Sequence, residues 1–315
     1  MTTLSVIGTG AWGTALALTA QRAGSTVSAY NKHPSPSDIL EKHHIPLVHT
    51  LEDAAKSSIL VIAIPTQNIP ELLIDLKSFV THNTILVMAS KGIHIESGKF
   101  ITEMTNTLLP GIPVTVLSGP NFAHEVSQNL PAATTLGYTN KTAAEFVSTS
   151  MSHSKFRIYL NDDVMGVQIG GSLKNVLAVA CGFVKELQLG ENAMAALLTR
   201  GMAEIKNLAL KKGAKAETLW GLSGMGDLVL TCMGSQSRNL QFGQQVVRLK
   251  SAEKALEALG TTVEGYHTAK ALLKVAADLQ VNMPICHAVY KILYENLNPL
   301  QAIELLMTRP LKHEG

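Results

Sequence analysis

Six residues near the start of the chain, Gly8-Thr9-Gly10-Ala11-Trp12-Gly13, restrict its fold more than any other feature. They follow a short apolar run, Leu4 to Gly8, and open a stretch of helical length, Ala11 to Ala23. In a G-x-G-x-x-G set between a strand and a helix, each glycine has its own reason. The first makes a tight turn, the second lets the backbone approach a pyrophosphate, and the third lets helix and strand pack closely. The N–H groups and dipole of the helix N-terminus then hold the anion. The bland alternative is a glycine-rich turn in an α/β protein without a ligand. With a strand before, a helix after and a second strand at Thr26, Gly8, Gly10 and Gly13 read as a dinucleotide site.

The same alternation continues along the first half. Thr26 to Tyr30, Ile59 to Ile64, Ile85 to Ala89 and Val114 to Ser118 are β-branched-rich runs bounded by Gly, Pro, Asn or Ser. Stretches of helical length, such as Asn68 to Val80, lie between several of them. Strand alternating with helix gives right-handed βαβ units, and the near-continuous apolar strands agree with a parallel sheet covered on both faces. After Asn161 the strand signals nearly vanish. Helical patterns take over at Val164 to Leu187, Ala193 to Lys211, Gln236 to Arg248, Ser251 to Leu259, Gly265 to Leu279, Pro284 to Leu293 and Pro299 to Met307. The expected architecture is α/β: an N-terminal Rossmann-type doubly wound parallel sheet over residues 1–160, then an all-helical domain over residues 161–315. Two domains suit 315 residues, and 46% hydrophobic against 16% charged residues can bury a sizeable core.

The end of the second strand bears on which dinucleotide binds. An NAD-selective site usually places Asp or Glu there, on the ribose hydroxyls. Here Ala29-Tyr30-Asn31-Lys32-His33 has no carboxylate and one fixed positive charge. Lys32 could pair with the 2′-phosphate of NADP, or be an ordinary surface lysine. The segment favours NADP(H) and leaves NAD(H) open.

Two further segments carry polar groups in glycine-rich surroundings. Gly166, Gly170, Lys174 and Ala178 lie four apart and share a helix face, and Gly171 adds another glycine. Interior glycines weaken a helix by up to ~1 kcal/mol each relative to alanine, so something compensates. Either the helix packs closely and Lys174 is a solvated neighbour, or the missing side chains leave room for a small substrate beside one ammonium, with the Asn175 amide adjacent. Downstream, Leu222 to Asp227 (LSGMGD) reads as a loop that lets backbone approach a ligand. Ser235-Gln236-Ser237-Arg238-Asn239 then opens a helix. Serine there is an ordinary cap, but a first-turn arginine opposes the helix dipole unless an anion sits between them. Phosphate is the obvious candidate.

Other classes find little support. Cys181, Cys232 and Cys286 are far apart and form no CxxC, and the histidines show no ligand spacing, so no metal site is expected. The apolar runs fall short of the ~20 residues of a membrane span, and no basic segment precedes one at the N-terminus. A cytoplasmic location is expected. Lys plus Arg exceed Asp plus Glu by 26 − 24 = 2, which does not suit a nucleic-acid binder or a dinucleotide-sensing regulator with a basic recognition helix.

An ordered series of segments along nearly the whole chain resembles the bacterial cytoplasmic NAD(P)-dependent glycerol-3-phosphate dehydrogenases. The series is GTGAWGTALA from Gly8, SKGI from Ser90, SGPNFAHE from Ser118, GVQIGGSLKNVLAVACG from Gly166 and TRGMAEI from Thr199. It goes on with GLSGMGDLVLTC from Gly221, SQSRNLQFG from Ser235, VEGYHTAK from Val263 and MPICHAVY from Met283. The resemblance implies reversible hydride transfer between NAD(P)H and dihydroxyacetone phosphate, giving sn-glycerol 3-phosphate for phospholipid synthesis. It implies Lys174 as general acid–base, Lys91 as its companion that lowers its pKa, and Asp227 as the carboxylate that orients the lysine or a substrate hydroxyl. It implies substrate contacts at Lys91, Gly119, Asn121, Lys174, Asp227, Ser237, Arg238 and Asn239. Cofactor contacts follow at Ala11, Trp12, Lys32, Lys91, Ala123, Arg238, Thr262 and Glu264, besides the fingerprint glycines. Two features depart from the family: the segment after the second strand, Pro34 to Thr50, is shortened, and Asn121 stands where Ser or Thr is usual. Other two-domain dehydrogenases, such as the 6-phosphogluconate and ketopantoate types, share the fingerprint. The SQSRN and GMGD segments favour the triose phosphate. Helical domains of this kind often pair, which points to a homodimer.

Overall fold

The structure, a computed structural model, describes residues 2–33, 38–310 and 313. The start of the shortened segment, residues 34–37, lies outside the described residues. The first half builds a seven-stranded sheet in the order β2-β1-β3-β4-β5-β6-β7. Its strands are β1 (Thr3–Ile7), β2 (Thr26–Tyr30), β3 (Ile59–Ile62), β4 (Ile85–Met88), β5 (Val114–Ser118), β6 (Ala132–Tyr138) and β7 (Phe156–Asn161).

All five expected strands form, and they are parallel. The sheet as a whole is mixed, however, because β6 runs antiparallel to β5 and β7 follows β6 in parallel. The connection from β5 to β6 holds one short helix, Ala123–Ser127, and returns the chain in the opposite direction. β3 and β4 are buried along their length. Their alternate side chains feed two separate cores. Leu4, Val6, Ile59, Val61 and Val87 pack on one face, and Ile7, Leu60, Ile62, Leu86 and Met88 on the other. That division is what covering a parallel sheet on both faces requires.

Beyond Asn161 the described chain is helical. The 23-residue helix Val164–Glu186 forms its centre and is buried almost throughout. It has the length and mean hydropathy of a membrane span, which no single apolar run foretold, yet it is enclosed by the rest of the protein. The helix expected from Gln236 begins at Arg238, because the Ser237 hydroxyl accepts the Leu240 N–H (3.3 Å) and caps it there. The LSGMGD segment is not a loop. It forms one widened helical turn, Leu222–Gly226, in which the Gly226 N–H donates to Gly221 O (3.1 Å), and it runs straight into the helix Asp227–Met233.

Candidate active site

Lys174 projects from the central helix and Asp227 opens the helix Asp227–Met233. Lys91 follows β4 and Gly119 follows β5. These elements converge on one buried cluster. The Lys174 Nζ donates to Asp227 Oδ1 and to Thr231 Oγ1 (2.7 Å). Lys91 Nζ donates to Asp227 Oδ2 (2.6 Å) and to the Gly119 carbonyl (3.1 Å). Asp227 is 1% exposed and Lys174 6%, so a buried carboxylate is shared by one buried ammonium and one half-buried ammonium, that of Lys91. The cluster carries a net positive charge and suits an oxygen that becomes negative. Burial pushes Lys174 down from 10.5 to about 8; the Asp227 charge opposes this, and Lys91 adds to it. Lys91 was expected to be the cause, but loss of water is the larger one.

The glycine row explains how the cluster is assembled. A Cβ on Gly170 would stand 2.5 Å from Ser223 O and 3.0 Å from Gly224 Cα, so the widened turn lies directly on the helix. A Cβ on Gly171 would collide with Ser118 Oγ and lie 3.5 Å from Lys91 Cδ, which leaves the Lys91 stem its path to Asp227. The close-packing reading therefore holds for the glycines, but its solvated lysine does not. No room for substrate opens at Gly170 or Gly171.

A second polar cluster adjoins the first. Asn239 Nδ2 donates to Asn175 Oδ1 (3.0 Å), and Asn239 Oδ1 accepts the Gly265 N–H (2.9 Å). Asn175 follows Lys174 in sequence, so this network joins the start of the Arg238–Leu249 helix to the charged cluster. Arg238 is exposed and donates to Thr261 Oγ1 (3.0 Å). Ser237 serves as the helix cap, as the bland reading expected. Asn121 Nδ2 donates to Ala133 O (3.0 Å), while its Oδ1 is buried without a partner among the described residues.

The fingerprint meets the demands of a pyrophosphate. Gly8 has φ +101°, and a Cβ there would lie 2.6 Å from Ala63 O; a Cβ on Gly13 would collide with Gly8 O. A Cβ on Gly10 would meet nothing within 4 Å, so the turn is open at the glycine expected to face the ligand. The helix Ala11–Arg22 starts with no side-chain cap and no acidic residue in its first turn, leaving its N–H groups for an anion. Trp12 Nε1 donates to Ala89 O (3.2 Å), which ties this turn to the segment leading into Lys91.

The other expected cofactor residues are more scattered. Ala11 is exposed beside Gly10, Ala123 opens its short helix, and Thr262 is exposed next to the Arg238 partner Thr261. Glu264 turns inward: Oε1 accepts the Thr66 N–H (2.9 Å), and Oε2 is buried without a partner among the described residues. Burial raises its carboxyl pKa, and the Thr66 hydrogen bonds and the Arg238 charge pull it back. Lys32 lies beyond β2 and makes a 2.6 Å ion pair with Glu71, both exposed. Reasoning from sequence did not single out Thr231 or Glu71, and noted Asn175 only as a neighbour. Thr231 could have been found as the residue one helical turn after Asp227.

The profile described as NAD-dependent glycerol-3-phosphate dehydrogenase N-terminus matches residues 3–46 and 37–144, and its C-terminal counterpart matches residues 163–304. The chain is 39% identical to the glycerol-3-phosphate dehydrogenase (NAD(P)+) of Rhodospirillum rubrum over 99% of its length and 94% of the relative's. It is 40% identical to the enzyme of the same name from Thioalkalivibrio sulfidiphilus, covering 99% of this chain and 98% of that one. Among solved structures, the glycerol-3-phosphate dehydrogenase of Coxiella burnetii superposes with a TM-score of 0.90 at 32% identity, over 98% of this chain and 99% of that one.

Proposed function

The chain belongs to the NAD-dependent glycerol-3-phosphate dehydrogenase family, and from that premise we propose that it interconverts dihydroxyacetone phosphate and sn-glycerol 3-phosphate using NADP(H) or NAD(H). The observation that carries this reading is the buried Lys174–Asp227–Lys91 cluster, one residue from the Asn175–Asn239 network. The cofactor would lie on Gly8, Gly10, Ala11, Trp12 and Gly13, with Lys32, Lys91, Ala123, Arg238, Thr262 and Glu264 as further contacts; its nicotinamide supplies or accepts the hydride.

In reduction, Lys174 hydrogen-bonds the substrate carbonyl oxygen and delivers a proton to it as negative charge develops there. In oxidation the neutral Lys174 amine removes the hydroxyl proton. An ammonium has three N–H donors. Lys174 uses two of them on Asp227 and Thr231, and Lys91 two on Asp227 and Gly119, which leaves each with one to offer a substrate oxygen. Asp227 holds the two cations together, and its charge keeps Lys174 basic enough to act near neutral pH. The substrate phosphate would be held by Arg238 and the first N–H groups of its helix, with Ser237 and Asn239 shaping that end. Gly119 and Asn121 complete the wall, Asn121 through its unpartnered Oδ1.

Residues 1–160 are then the dinucleotide domain and residues 161–315 the substrate domain. The product would feed glycerophospholipid synthesis in the cytoplasm, with the chain acting as a homodimer on a small phosphorylated molecule and not on nucleic acid. Lys32 favours NADPH over NADH. The test is NADPH oxidation followed by absorbance with dihydroxyacetone phosphate, then with unphosphorylated dihydroxyacetone, and again with NADH. Rapid oxidation that requires the phosphate is the expected result. NADPH binding with no oxidation would reject the substrate.

A further inference from the structure

The end of β2 lacks the carboxylate that usually meets the ribose of NAD, yet a carboxylate reaches the same place from another element. Lys32 is two residues past β2, and its ion-pair partner Glu71 belongs to the helix Ile69–Leu76 that follows β3. In the sheet β1 lies between β2 and β3. A contact between the segments that follow those outer strands therefore crosses the carboxyl end of β1, where the glycine turn begins. Gly8 is held in that gap: its N–H donates to Tyr30 O (2.9 Å), and its Cα faces Ala63 O. Asp75, one helical turn after Glu71, adds a second negative charge that acts on Lys32. The single cation that favours a 2′-phosphate thus stands against two carboxylates.

We propose that Glu71 is a specificity-determining residue for the dinucleotide: by engaging Lys32 beside the glycine turn, its carboxylate weighs against a ribose 2′-phosphate and sets the balance between NADPH and NADH. This rests on the dehydrogenase reading and on the placing of the adenosine ribose at the end of β2. A 2′-phosphate carries nearly two negative charges near neutral pH. To pair with it, Lys32 has to leave or share Glu71, and the phosphate then sits among the Glu71 and Asp75 charges. The 2′-hydroxyl of NADH makes no such demand, and a carboxylate can accept its hydrogen bond. The chain therefore takes both dinucleotides, with a narrower preference for NADPH than an unopposed lysine would give.

The test is steady-state kcat/KM for NADPH and for NADH, at saturating dihydroxyacetone phosphate, in the full-length protein and its E71Q, E71D and K32A variants. Removing one exposed charge several ångströms from a dianion changes affinity by about fivefold at low ionic strength. E71Q is expected to raise the NADPH-to-NADH ratio by that factor through a lower KM for NADPH, with kcat unmoved. E71D, which keeps the charge, retains the original ratio, and 0.5 M salt shrinks the E71Q effect. K32A lowers the ratio and reads the Lys32 assignment separately. An E71Q ratio that stays level or falls, while K32A lowers it, overturns the role of Glu71 and leaves Lys32 in place. A ratio insensitive to both overturns the two together, and absence of turnover with any triose phosphate places the failure in the dehydrogenase reading.

Discussion

As the proposed general acid and base, Lys174 would have to hold its proton in one direction of the reaction and lack it in the other, which its environment makes attainable within the neutral range. Loss of water around the ammonium brings its pKa to about 8. Below about 8 the folded protein carries the ammonium, the form that protonates the carbonyl oxygen; above it the amine predominates, the form that removes a proton from the alcohol. kcat/KM for reduction should therefore fall as pH rises through about 8, and kcat/KM for oxidation should rise through the same range. Profiles that bend together would remove Lys174 as the shared acid and base. Lys174→Ala should lower kcat by roughly 10²–10⁴-fold, the range for a positioned general acid–base. Fluorescence titration should still show NADPH binding, because Asp227 keeps Lys91 as a partner and the fingerprint lies on other elements. Asp227→Ala is the harsher change. It leaves the buried Lys174 ammonium and the half-buried Lys91 ammonium facing each other without a counter-ion, and should cost about 3–5 kcal/mol of stability in denaturant unfolding.

At the scale of elements, the central helix accepts glycines so that others can come close. Gly182 does for the helix Arg238–Leu249 what Gly170 does for the widened turn: a Cβ there would collide with Leu240 O and stand 2.8 Å from Gly243 Cα. Alanine favours a helix over glycine by about 1 kcal/mol, so propensity alone predicts that Gly→Ala stabilises. Packing predicts the reverse, because overpacking a close helix contact costs about 1–3 kcal/mol. Gly170→Ala and Gly182→Ala should both lower the unfolding midpoint. Gly170→Ala should act mainly on kcat by moving Asp227, and Gly182→Ala mainly on the substrate KM by moving Arg238; a rise in both midpoints would reject the packing account. This is also where sequence is legible only in part. The glycine spacing marks a helix face, but periodicity cannot say which backbone lies against it. Among the five parallel strands, β3 and β4 stand out because their runs are apolar on both faces, whereas β2 is recognised by its position after the fingerprint helix. β6 is masked by Ala132, Ala133 and Gly137, which are poor strand formers. β7 does alternate, with Phe156 and Ile158 buried and Arg157 and Tyr159 exposed, but it falls just where the helical texture begins. The Asp227–Met233 helix was hidden by the glycines before it, since a widened turn reads locally as a loop.

For the whole molecule, the contrast lies between a nearly balanced chain and a strongly positive site. The formal net charge is +2 over 315 residues, too small to steer a dianionic substrate from afar. Lys91, Lys174 and Arg238 oppose Asp227, so the attraction is concentrated where the two halves of the protein meet. Other bonds close the same seam: Thr102 N–H to Gln168 Oε1 (3.0 Å), Gln168 Nε2 to Thr102 Oγ1 (2.6 Å) and Thr66 N–H to Glu264 Oε1 (2.9 Å). With a Debye length of about 8 Å at physiological ionic strength, an exposed cation loses much of its pull to salt, whereas buried ones keep theirs. Arg238 is the exposed member, and Lys174 and Asp227 are buried. The substrate KM should therefore rise with salt chiefly through Arg238. Arg238→Ala should raise the KM for dihydroxyacetone phosphate by roughly 10–100-fold, the scale of a lost charge-assisted hydrogen bond, and should flatten its dependence on sodium chloride between 25 and 500 mM (roughly a fourfold change in Debye length). Its kcat should change far less, since the proposal assigns the proton to the buried Lys174. An unchanged KM would take Arg238 out of the phosphate site. A raised KM with the salt slope intact would mean that the phosphate is held by other cations, with Arg238 acting only through its bond to Thr261.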